Sequence, residues 1–188
     1  MTLSHPAIRV LGWLVTLAAA AIYVFMLAVT LPHLSDLAGG MTMFDLRNGG
    51  YDFETARTIL ARLGTEGREY YESVQHVLDA FYPPLVALAV TYWMWRFAPR
   101  WRALGWLLPN VVLFAAMAIA VLAAAFDLTE NVLVGQMLAA RPDGLTAELV
   151  GTASGFTLAK TIAVSVSQTA LLVLIAGPFI RRMIGGKG

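Results

Sequence analysis

Five polar side chains stand at places where the surrounding sequence is apolar. Asp127, Glu130 and Asn131 close an apolar run in the string AAAFDLTEN, Asp79 interrupts a second run, and Lys160 stands at the mouth of a third. An ionisable group in hydrocarbon costs about 2.5 kcal/mol or more, so such residues mark a functional site or a structural pairing. Three carboxyl groups around one ammonium can do three kinds of chemistry. They can hold a cation or an amine, share and move a proton, or clamp helices together through an ion pair.

Helical spacing groups these residues further. Asp127, Glu130, Asn131 and Val134 fall on one face at i, i+3, i+4 and i+7, and Ala120, Ala123 and Ala124 continue that face below Asp127. Gln75, Asp79 and Tyr82 share a face of a second helix. Phe156, Thr157, Lys160 and Thr161 share one on a third, with Ser167 and Gln168 deeper on a similar side. At a rise of about 1.5 Å per residue, Asp79 lies roughly 26 Å above Arg96, Asp127 roughly 38 Å above Arg102 and Lys160 roughly 32 Å above Arg181. The spacing therefore predicts one polar cluster, carried by three helices within about two turns of the same level. The candidate ligand-binding set is Gln75, Asp79, Tyr82, Asp127, Glu130, Asn131 and Lys160.

The elements that must carry this set follow from composition. The chain has 188 residues, 59% of them hydrophobic and 13% charged, about half the charged fraction of a soluble domain. Apolar stretches long enough to span a bilayer are predicted over about 10–32, 74–96, 103–131 and 154–180. The runs are apolar throughout rather than alternating, which favours helices over barrel strands. The expected architecture is all-α, a four-helix transmembrane bundle forming a single integral membrane domain over 1–188. The first span is read as retained, because it is too long for a signal-peptide core and lacks a small-x-small cleavage site.

Arg9, the group Arg96, Arg100 and Arg102, and the group Arg181, Arg182 and Lys187 all fall on one side, where no Asp or Glu occurs. The positive-inside rule then places both termini in the cytoplasm of a multi-pass inner-membrane protein. Trp93, Trp95, Trp101 and Trp106 cluster at that end, as an interfacial belt would. Residues 33–73 form a long extracytoplasmic connection with short amphipathic helices. Asp52 is placed to cap a helix with a stripe of Ala56, Ile59, Leu60 and Leu63 that ends at Gly64, and Thr65 to cap the next, which runs through Tyr70, Tyr71 and Gln75 into the second span. Pro83 and Pro84 predict a kink beside Asp79 that frees a carbonyl. Ala116, Ala120 and Ala124, and likewise Gly151 and Gly155, recur at the four-residue spacing of close helix packing.

Several classes drop out. There are no cysteines and the net charge is +1, so thiolate sites are excluded and no basic field favours nucleic acid. No phosphate loop, nucleophile elbow or zinc-protease helix occurs, no cofactor is implied, and His33 and His76 lack the spacing of a metal pair.

The strings QHVLDAFYPP, FDLTEN and FTLAK, with GYDFETARTILARLG in the outer loop, resemble a family of small bacterial four-helix membrane proteins without an assigned activity. The overall plan also resembles the EXPERA group, which includes the sigma-2 receptor and the emopamil-binding sterol isomerase. That likeness implies four helices, cytoplasmic termini, a long first outer loop and acids lining a hydrophobic cavity. Here the first span carries no acid and the bundle no deep histidine, unlike that group.

The function expected first is binding of a membrane lipid or a hydrophobic amine or hydroxyl ligand at the acid cluster. The alternatives are acid–base chemistry on a membrane substrate, and an accessory subunit, self-associating or joined to another membrane protein, in which the cluster is a clamp.

Overall fold

The computed structural model describes residues 5–103 and 110–185. The start of the expected third span with Trp106, and the terminal Lys187, lie outside the described residues, as do the side chains of Trp101, Arg102, Arg181 and Arg182. Among the described residues every regular element is helical: α1 (His5–Phe25), α2 (Leu31–Leu37), α3 (Phe53–Tyr70), α4 (His76–Ala103), α5 (Asn110–Gly144) and α6 (Ala147–Gly185). Two π-turns, Met26–Thr30 and Tyr71–Gln75, join α1 to α2 and α3 to α4. Four continuous stretches are long and apolar enough to cross a membrane: Pro6–Leu37, Phe53–Arg100, Asn110–Gly144 and Ala147–Ile180.

The helices outrun the expected spans. As the sequence predicts, the connection over 33–73 carries helix and runs into the second span: no glycine or proline lies between Arg68 and Asp79, so nothing breaks the helix between α3 and α4. Asp52 caps α3 by accepting a 2.7 Å bond from the Thr55 amide. The predicted stripe of Ala56, Ile59, Leu60 and Leu63 is buried. Gly64 breaks the helix at φ 61°, and Arg68 Nη1 donates 3.3 Å to the Leu60 carbonyl, which that break leaves exposed. Beyond that break a second helical stretch begins, as the sequence predicts, and runs through Tyr70 into the Tyr71–Gln75 π-turn. At the far end α5 runs on past Asn131 until Arg141, at φ 60° before Pro142, breaks it short of Gly144, and Thr146 Oγ1 accepts from the Leu149 amide at 3.2 Å to begin α6.

α4 continues as a helix through Pro83 and Pro84. Pro83 has no amide to offer the Asp79 carbonyl four residues back. Asn131 Nδ2 of α5 supplies the missing donor at 3.2 Å. The carbonyl that the sequence suggested would be freed is thus satisfied across the helix pair.

Two cores result. One, at the acid-rich end, packs Leu31, Leu34, Phe44, Ile59, Leu60 and Tyr71 against Met137, Leu138 and Val150. Each large apolar side chain buried there contributes about 1.5–3 kcal/mol if the surface would otherwise meet water. The other, toward the arginine end, packs Val90 and Met94 against Leu113, Ala116, Ala120 and Leu174. α4, α5 and α6 pack on one another, whereas α1 packs chiefly on α4. The close approach of α1 is at Gly12, where a Cβ would collide with the Tyr92 ring. Gly151 and Gly155 do not serve as expected. Both are exposed and no atom lies within 4 Å of a Cβ built on either. Val10, Leu14, Leu17, Val111, Phe114 and Phe179 present the exposed apolar surface that a lipid-facing bundle requires.

Candidate functional site

Between the two cores lies a cavity of about 570 Å³. Every span contributes to it. α1 gives Ala19, Ala20 and Tyr23; α4 gives Tyr82, Pro83, Val86, Ala87 and Val90; α5 gives Ala120, Ala123, Ala124 and Asp127; α6 gives Lys160, Thr161, Val164, Ser165, Ser167 and Gln168. The connection after α2 roofs it with Asp45, Leu46 and Asn48. The alanine face read below Asp127 is thus one wall. Its small side chains leave space facing α1, where the bundle is least closely packed.

The structure divides the seven candidate residues into two groups. Asp127, Lys160 and Tyr82 line the cavity. Lys160 Nζ donates to Asp127 Oδ1 at 3.2 Å, and Tyr82 stacks on Tyr23 of α1 with ring centroids 5.6 Å apart. Gln75, Asp79, Glu130 and Asn131 stand behind the wall. Glu130, 1% exposed, presses its Oε2 against the Lys160 ammonium and accepts at Oε1 from the Thr157 hydroxyl at 2.6 Å. Asn131 is occupied by the Asp79 carbonyl. Gln75 accepts from Thr30 Oγ1 at 2.6 Å and donates to Asp79 Oδ1 at 3.2 Å. The second Asp79 oxygen, Oδ2, is buried with no hydrogen-bond partner among the described residues.

Thr30 and Gln75 are the last residues of the two π-turns, so the two widened turns meet through one polar pair. π-turns within helices recur at functional sites. Here they turn the Thr30 and Gln75 side chains into a core that is otherwise apolar.

Three contributors were not singled out in the sequence. Asp45 lies in a single 3₁₀ turn, Phe44–Leu46, whose sequence context gives no sign that the chain folds it back over the bundle. There it accepts a hydrogen bond from the Tyr71 hydroxyl and lines the cavity beside Asp127 and Lys160. Tyr23 was one aromatic among many in an apolar run. Thr30 had a readable signal, as a lone hydroxyl near the end of the first span. Gly50, at φ 80°, lets the returning chain pass over α6. A Cβ there would meet Ser154 Oγ at 2.7 Å, and the next amide, Tyr51, donates to that same oxygen at 2.8 Å.

Electrostatically, Asp45 raises the local count to four carboxyl groups around one ammonium. Outside the spans, burial first and the Glu130 charge second push the Tyr51 phenol well above the usual tyrosine range. Its hydroxyl lies beside Thr157 without a well-formed hydrogen bond. At the exposed edge of the roof, the Thr55 amide holds the Asp52 carboxyl below its ordinary range. The two histidines weighed as ligands stand edge-on to different rings, His33 on Tyr70 and His76 on Tyr71. Among the described residues no three His, Asp or Glu groups are arranged to hold a metal.

The cavity therefore has a charged end and an apolar body. Asp127 accepts one bond from Lys160 at Oδ1 and lines the cavity, where a carboxylate has capacity to accept from an ammonium or a hydroxyl as well. Roughly 12 Å further along α6, at about 1.5 Å per residue, Ser167 and Gln168 add polar groups at the other end. Comparison with protein-family models, curated proteins and solved structures finds no match to this chain.

Proposed function

We propose that this small polytopic membrane protein binds an amphipathic ligand, a lipid or a long-chain amine, in the cavity between its helices. The head group sits against Asp127, Asp45 and Lys160, and the tail lies along Ala120, Ala123, Ala124 and Val86. The observation that carries the reading is the cavity itself. Its volume falls within the range of about 300–1,000 Å³ typical of small-molecule sites, and its charge is concentrated at one end. The excess of carboxyl groups over ammonium favours a cationic head. Entry between α1 and α6 suits a ligand dissolved in the bilayer, because that side of the bundle has the least packing. The protein sits in the inner membrane with its acid-rich end outside, following the arginine distribution. From the EXPERA-like plan this reading takes only acids above an apolar cavity, without isomerase chemistry.

Glu130 has a second role that its contacts favour. With Lys160 and Thr157 it clamps α5 to α6, and removing one member of a buried ion pair costs on the order of 3–5 kcal/mol. The ligand test therefore leaves Glu130 alone. Purified protein in a neutral detergent is titrated with dodecylamine, and with dodecanoate as its anionic counterpart. The amine is expected to raise the unfolding temperature saturably, by several degrees at concentrations about 100-fold above Kd. Dodecanoate is not. Asp127→Asn should weaken the amine effect about tenfold or more, as loss of a charged hydrogen bond implies. Ala123→Phe, which fills the cavity without touching charge, should remove it. A shift that is unchanged in both folded variants would defeat the proposal.

A further inference from the structure

At the opposite end of the molecule lies a second groove, of about 560 Å³, between α1 and α4. Its lining is Pro6, Ile8 and Arg9 from α1, and Tyr92, Trp95, Arg96 and Pro99 from α4. We propose that this groove holds the phosphate head group of an anionic membrane phospholipid between Arg9 and Arg96.

The chemistry of the groove is unlike that of the acid-rich cavity. No Asp or Glu occurs between positions 1 and 35 or between 80 and 126, so neither helix offers a carboxylate at this end. Arg9 and Arg96 have no ion-pair partner among the described residues. Arg100, one turn beyond Arg96, lies over the Phe97 ring at 4.2 Å. Among the described residues Arg9 and Arg96 lack even that contact, although they share one groove. Two arginines that line one groove from different helices, without a protein anion among the described residues, suit a phosphate, which accepts paired N–H donors.

The position points to a lipid rather than a free anion. Arg96 lies roughly 26 Å along the helix from Asp79, which sets it near one boundary of the hydrocarbon while the acids sit near the other. Trp95 is half exposed and shares the groove with Tyr92, and such amphipathic rings sit at head-group level. Basic pockets between spanning helices are a recurrent mode of anionic lipid recognition. The groove also bridges α1 to α4, so a bound head group would tie down the helix with the fewest partners in the bundle.

The test is native mass spectrometry of the full chain released from neutral detergent. Phosphatidylglycerol and phosphatidylcholine with identical acyl chains are added in competition. The wild type is expected to retain phosphatidylglycerol preferentially. The double variant Arg9→Gln/Arg96→Gln should lose that preference by about 30-fold, from two interfacial charges. The control Arg57→Gln/Arg62→Gln, on α3, should keep it. Should the glutamine pair fail to fold, Arg9→Lys/Arg96→Lys keeps the charge and is expected to retain a reduced preference. Equal retention of the two lipids by the wild type, or an undiminished preference in the folded glutamine variant, would overturn the proposal. Displacement of the lipid by millimolar inorganic phosphate would also overturn it, since the groove would then be a site for the free anion.

Discussion

Asn131 shows how a polar residue in hydrocarbon can be explained by its neighbour's backbone rather than by a ligand. Its amide lies 3.2 Å from the Asp79 carbonyl, which Pro83 deprives of its helical donor. Asn131→Leu is expected to destabilise the protein by about 1–3 kcal/mol, the cost of leaving a buried carbonyl unpaired. Pro83→Ala restores an amide at that position and should recover most of the loss in the double variant, as read by unfolding temperature. No rescue would mean that Asn131 acts through something other than this bond. The same scale shows how far the residues could be read in advance. Asp127, Lys160 and Tyr82 were identifiable as costly or amphipathic groups on shared faces, and they line the cavity. Asp45 was not, because its place depends on a chain reversal through Gly39, Gly40 and Gly50, all at positive φ. Local spacing cannot report where such a reversal brings a side chain.

The helices were legible for a different reason: uninterrupted apolar runs leave few alternatives in a bilayer. Their ends were less so. The passage from the outer helix into the second span was legible, because nothing between Arg68 and Asp79 stops a helix, and α3 passes through a π-turn into α4; the run of α5 past Asn131 was not. The start of α3 was readable from Asp52, and it carries a pH dependence. The Thr55 amide holds the Asp52 carboxyl below its ordinary range. A depressed carboxyl stabilises the fold fully above its unfolded pKa of about 3.9, and that contribution is lost as pH falls through the lower folded value. Hydrogen-exchange protection at the Thr55 amide should therefore decline only in strong acid. In Asp52→Asn, whose side chain still caps but does not titrate, that decline should vanish. A decline that persists in the asparagine variant would assign the effect to another group.

Taken whole, the molecule is polarised along its length. The acids and most tyrosines lie at one end, while Arg9, Arg96, Arg100, Trp93 and Trp95 lie toward the other, with the cavity between. The arginine end is expected to face the cytoplasm. The chain has no cysteine, so single replacements give a clean readout. On intact cells an impermeant maleimide should label Glu66→Cys on α3 and spare Arg100→Cys until the cells are opened. The reverse pattern would invert the topology and move the cavity mouth to the inner leaflet. The division of the cavity wall from its supports could not be read from sequence. Helical spacing places Asp127 and Glu130 on one face alike, and only packing shows that Lys160 fills the space between Glu130 and the cavity.

Occupancy of that cavity is tested most directly by photolabelling. A long-chain amine with a diazirine near its tail is reacted with the protein in neutral-lipid nanodiscs, and the labelled residues are mapped. Labels are expected at Ala19–Tyr23 of α1, at Ala120–Ala124 of α5 and near Val164 of α6. Excess dodecylamine should suppress them and Ala123→Phe should abolish them. Labels confined to outward-facing residues such as Phe114, Val121 and Leu172, and indifferent to competitor, would contradict a ligand site within the bundle.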